Sequence, residues 1–235
     1  MSSELQRESA PKPRHVPTKV PGQAGGKRDE NRRMRVRTLS QAALTLMLAK
    51  GIESVTVDEI VRDAGVAKGS FYRYFHDKSE LVDSVFEPLS VRIQGAFDTA
   101  RAAVEAAETD GALTMVYVGL AFTMEQTLVT FPRELLLYLQ ESHAARTDAR
   151  RPVHALADTV VEAAIELTHT ARERGLLTRV ASEVSALLVV GAAERLLYEV
   201  LRGGRSLGPP RQVAQAMIQV VMQGLSAERP GARGE

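Results

Sequence analysis

An all-α protein of about nine helices is what this sequence predicts, and three observations carry that prediction. Apolar residues recur at helical spacing, as at Val57, Ile60, Val61 and Ala64. From Gly111 onward no stretch shows the strict alternation of a half-buried strand. Glycines and prolines punctuate the periodic runs: Gly51, Gly175 and Gly203 stand after them, and Pro132 and Pro210 open them.

At 235 residues the chain can bury a sizeable core. The absence of cysteine excludes disulfides and thiolate metal sites. No run reaches the roughly 18–20 apolar residues that cross a bilayer, and the first residues are charged and proline-bearing rather than an apolar signal core. A soluble, cytoplasmic protein without a membrane partner is the expectation. The net charge of +1 hides an asymmetry. Residues 1–78 hold 15 Lys+Arg against 9 Asp+Glu, while the remainder holds 15 against 20, and no lysine follows Lys78. A cationic end on a mildly acidic body fits a partner of nucleic acid.

Residues 1–28 carry Pro11, Pro13, Pro17 and Pro21 with no apolar periodicity, which predicts a disordered basic arm. It is either a solvated tail or an arm that adds phosphate or minor-groove contacts through Lys27, Arg28, Arg32 and Arg33. The first helix is expected over Asp29–Lys50, with Val36, Leu39, Ala43, Leu46 and Met47 inward and Gly51 beyond its end. Thr56 and Glu59 form a capping box for the second. Gly65 then turns the chain into the third, where Phe71 and Phe75 point to a core. Lys68, Ser70, Tyr72, Arg73 and Tyr74 are left outward, a set of hydroxyls and cations suited to phosphates and base edges in a major groove. Ser79 opens a long fourth helix, with Leu81, Val82, Val85, Phe86, Leu89, Ile93 and Phe97 on its buried side.

Further helices are expected over residues 113–129, 132–143, 151–174, 182–201 and 210–225. The domains follow as 29–78 for a helix-turn-helix, 79–226 for a helical body, which the resemblance given below makes a ligand-binding and dimerisation domain, and 227–235 for a flexible tail.

The segment TVDEIVRDAGVAKGSFYRYFHDKSELVDSVFE, Thr56 to Glu87, resembles the DNA-binding domain of the tetracycline-repressor (TetR) family, and the resemblance reaches back to Arg35. Its pattern stands here as Gly65, Val66, Gly69, Phe71, Tyr72, Tyr74, Phe75 and Lys78. The resemblance implies a homodimeric repressor that binds double-stranded DNA at a palindromic operator and leaves it when a small hydrophobic effector enters the body. In that frame Lys68, Gly69 and Ser70 lie at the start of the recognition helix, and Thr56 and Lys78 grip phosphates at helix N-termini. The alternative is a DNA-binding regulator whose body serves a protein partner or needs no ligand.

By their spacing Phe97, Tyr117, Phe122, Gln126, Tyr138, His143 and His169 are ordinary core; the resemblance implies a ligand pocket among them. The resemblance also implies a dimer interface on the last two helices, at Gly191, Ala193, Leu197, Met217 and Val221. His143, His154 and His169 are 11 and 15 residues apart, so no two share a helical turn, and neither a metal nor a cofactor is expected. Gly204–Gly208 matches the G-x-S-x-G elbow in letters only, because a helix precedes it and prolines follow. No acid–base or nucleophile constellation remains, so no enzyme is expected.

Overall fold

The computed structural model describes residues 26–177, 182–204 and 207–225. The described residues form helices and no strand: α1 (Lys27–Lys50), α2 (Val57–Asp63), α3 (Lys68–Phe71), α4 (Lys78–Ala106), α5 (Asp110–Thr130), α6 (Pro132–Glu141), α7 (Arg151–Glu173), α8 (Ser182–Arg202) and α9 (Pro210–Leu225). The expected arm up to Ala24 and Gly25, the tail at 227–235, and Arg205 and Ser206 of the G-x-S-x-G match lie outside the described residues.

The chain divides into two compact units at Arg35 and Val36. In the first, the described part is helical: the Gly26 carbonyl accepts from the amides of Asp29 and Glu30 at 2.7 and 3.1 Å, and Arg33 pairs with Asp29 at 3.2 Å. The helix thus starts two residues before the expected Asp29.

In the second unit the amino-terminal core is built as the periodicity demands. Leu39, Ala43 and Met47 of α1, Ile60 of α2, and Phe71 of α3 are all fully buried or nearly so. Leu81, Val82, Phe86 and Leu89 of α4 close this core from below. Each such side chain contributes roughly 1.5–3 kcal/mol by leaving water. Asp77 caps α4 by accepting from the Glu80 amide at 2.8 Å, so that helix begins at Lys78 rather than Ser79.

The 29-residue α4 continues into the body, where it packs on α7 and α5; α7 packs on α8, and α5 on α9. A second core forms there around Val104, Leu113, Leu167 and Ala171. One expectation fails at α5: contrary to the sequence reading, this helix is long and apolar enough, by length and composition, to cross a bilayer. Here it packs against α4 and α9 while Met115, Val118 and Phe122 stay exposed.

Candidate nucleic-acid interface and the cavity behind it

The helix-turn-helix is set by its caps. The Thr56 hydroxyl accepts from the Glu59 amide at 3.3 Å, and the Glu59 carboxylate accepts from the Thr56 amide at 2.9 Å. Lys50 pairs with that carboxylate at 2.8 Å. Together with the bonds from Thr56, it pulls the Glu59 carboxyl down to about 2 from its ordinary value near 4.5. Gly65 turns at φ +63°, which a residue with a Cβ rarely adopts, and the amide of Val66 closes back on the Val61 carbonyl at 3.0 Å.

The third helix is a single turn, Lys68–Phe71, followed by a turn through Tyr72–Tyr74. Phe71 and Phe75 anchor it, with ring centroids 5.5 Å apart. Tyr72 packs edge-on against Phe71 and still leaves 54% of its surface exposed; Arg73 is exposed beside it. Ser70 is half-buried, and Tyr74, expected to face outward, is half-buried against the core. Its ring lies three residues beyond Phe71, close enough in angle to share the inward side. Lys68 is exposed and paired with Asp58 at 2.8 Å, which raises its pKa. Among the described residues, beyond its neighbours and its own helical turn, no atom comes within 4 Å of where a Cβ on Gly69 would stand. The fold therefore makes no demand for glycine there.

Lys78 corrects the sequence reading. Its ammonium donates to the carbonyls of Ile52, Glu53 and Val55, each at 3.0 Å. Those bonds use all three of its protons, so it fastens the loop between α1 and α2 and has none left for a phosphate.

The same loop is held from the body. Glu141, at the end of α6, is buried; its Oε1 accepts the Ile52 amide at 3.0 Å, and its Oε2 accepts Arg150 Nε at 2.6 Å. Gly51 sits at φ +82° with a would-be Cβ only 3.0 Å from Glu141 Oε1, so a side chain is excluded twice over. Thr147 adds a hydrogen bond to Glu53 at 2.8 Å. Sequence offered no sign of this latch, because Ile52 and Glu141 are 89 residues apart.

Behind α6 the body holds a partly open cavity of about 230 Å³ walled by α4 to α9. Phe97, Tyr117 and Tyr138 line it as expected. Phe122, Gln126, His143 and His169 do not. Phe122 lies on the outer side of α5 under the Arg211 guanidinium, and Gln126 accepts from Arg92 at 2.7 Å. His143 and His169 are exposed, facing Glu194 at 3.3 Å and Glu173 at 3.5 Å. On α5 the inward side is Tyr117, Leu120, Met124 and Leu128, and residues 122 and 126 fall on the opposite side of the helix. The Tyr138 hydroxyl donates to Glu194 at 2.6 Å; burial first, and that bond second, push its pKa up. Burial likewise raises Tyr117. Glu194 went unnoticed in the sequence, where nothing links it to Tyr138 across 56 residues.

The residues expected at a dimer interface divide. Ala193, Leu197, Met217 and Val221 line the cavity, and Gly191 alone of the five is on an outer face. The outer stripe of α8 is instead Val184, Leu187, Leu188, Gly191 and Ala192, all exposed.

Comparisons with known proteins agree with this geometry. Residues 39–85 match the model described as bacterial regulatory proteins, tetR family. The transcriptional repressor KstR2 of Mycolicibacterium smegmatis is 33% identical over 90 residues, 37% of this chain and 40% of that protein. The chain spans about a third to two fifths of the length of the curated relatives it matches first. Among solved structures, NalD, the secondary repressor of the MexAB-OprM multidrug efflux pump in Pseudomonas aeruginosa, superposes with a TM-score of 0.63 at 18% identity, over 85% of this chain and 100% of its own. FadR from Bacillus subtilis, in complex with stearoyl-CoA, does so with a TM-score of 0.61 at 13% identity, over 80% and 98%. Over residues 39–85 the amino-terminal domain thus matches that of the tetR family of bacterial regulatory proteins, and the described helices take the fold of solved regulators of that family.

Proposed function

We propose that the protein is a transcriptional repressor that binds a palindromic operator as a homodimer and is released by a small hydrophobic effector, with no catalytic role. The observation that carries the DNA reading is the outward turn after α3. Tyr72 and Arg73 are exposed there, and Gly69 is bare where the fold does not need it to be. A missing Cβ lets a duplex approach closely, and the hydroxyl and guanidinium reach phosphates. Lys68 and Ser70 reach base edges once Lys68 leaves Asp58. Thr56 and Tyr74 support the backbone contacts from the edge of this face.

The effector reading rests on the cavity, which is partly open and mostly apolar. That volume weighs against a body that needs no ligand. Tyr138 touches the cavity and lies one turn from Glu141, which holds the Ile52 amide in front of α2. A ligand that shifts α6 or α4 therefore shifts the α1–α2 loop and with it the Thr56 cap. The effector must bind the two arrangements unequally; a tenfold preference supplies about 1.4 kcal/mol. Dimerisation would use the exposed α8 stripe around Leu188, where Gly191 and Ala192 permit close helix approach. NalD and KstR2 are both described as repressors, which agrees with this direction of control.

The test is duplex binding by the intact chain and by Tyr72→Ala, using a sequence recovered by selection. Loss of binding with helical content retained and only a small drop in melting temperature, from the lost edge contact with Phe71, is expected. Retained affinity would move the DNA face elsewhere.

A further inference from the structure

The cavity wall has a sign. Its described lining residues include two carboxylates, Glu125 and Glu194, and no lysine, arginine or histidine. Glu125 is matched by Arg211, whose Nε lies 3.0 Å from it and whose guanidinium stands over the outer ring of Phe122. Glu194 is matched only in part. Tyr138 donates to its Oε1, and His143, on a 79% exposed side chain, faces its Oε2 at 3.3 Å. A carboxylate offers about four lone-pair sites, so two partners leave room for an incoming N–H donor. The Glu194 side chain is only 14% exposed, which puts its charge on a largely desolvated wall. Phe97, Tyr117 and Tyr138 present aromatic rings on the same cavity, and ring faces attract cations.

Building on the effector reading above, we infer that the cavity selects a small apolar molecule carrying one protonated nitrogen, held against Glu194, and disfavours anions of the same size. A cation gains a charge-assisted hydrogen bond in a poorly solvated site. An anion meets like charge at Glu194 and loses its water, while the basic groups beside the wall, Arg211 and His143, are already turned to Glu125 and Glu194. The cavity, about 230 Å³, has room for a small organic molecule.

The experiment is calorimetric titration of the full chain at neutral pH with phenylbutylamine, phenylbutanol and phenylbutyrate, three probes with one apolar body. The amine is expected to bind about tenfold or more tighter than the alcohol, with the carboxylate weakest. Glu194→Gln should remove the amine's advantage, whereas Tyr138→Phe, which keeps the carboxylate, should preserve it. A carboxylate that binds as tightly as the amine would overturn the inference, as would an advantage that survives in Glu194→Gln. If all three bind equally, charge selection fails while the cavity stands as the effector site. If none binds, the effector reading fails with it.

Discussion

Lys78 gives its whole ammonium to three carbonyl oxygens, while Tyr72, six residues earlier, rests one edge on Phe71 and leaves the rest of its ring outward. The two residues belong to one sequence motif and separate only in three dimensions. Replacing Lys78 with Met should cost about 1.5–3 kcal/mol of stability, because charged hydrogen bonds to the loop are lost. The salt dependence of DNA binding should not change. A slope flattened by about one unit with unaltered unfolding would return Lys78 to a phosphate role. Local signals served well where both partners are near in sequence. Thr56 with Glu59, Gly65, and Phe71 with Phe75 all stand in the structure as their spacing predicts. Tyr74 escaped because a short turn can direct a side chain either way, and Lys78 because its carbonyl partners lie 23 to 26 residues away.

At the scale of elements, the joint between the α1–α2 loop and the end of α6 is the feature with the largest energetic stake. The Glu141 and Arg150 side chains are 7% and 16% exposed, and the pair holds a backbone amide as well as each other. Removing one partner of a buried pair leaves the other uncompensated, so Glu141→Ala should cost about 3–5 kcal/mol. Chemical denaturation would measure it, and faster hydrogen exchange at the Ile52 amide would locate it. A variant that unfolds like the parent would mean that the latch contributes nothing. Helix periodicity marked the inner side of α4 correctly down to Phe97. It was less informative for α8, which is apolar on two sides. One side, Ala193 and Leu197, closes the cavity, and the other, Val184 to Ala192, is bare. A moment along one helix cannot tell which of two apolar faces turns inward. This is why four of the five expected interface residues lie in the cavity wall.

For the whole molecule, an exposed stripe of Val184, Leu187 and Leu188 beside small Gly191 and Ala192 is costly to leave in water. Pairing with a second copy would bury it and set two DNA faces at a fixed separation. Leu188→Glu should therefore yield monomers by light scattering and weaken operator binding; a persistent dimer would place the interface on another surface. The central claim is that the turn after α3 reads a specific duplex in a two-fold arrangement. Selection from a random-sequence duplex pool, with recovery at increasing salt, tests it most directly. The account predicts one palindromic sequence retained at physiological salt by the intact chain and lost in Tyr72→Ala. Recovery of unrelated sequences that all dissociate as salt rises would contradict it.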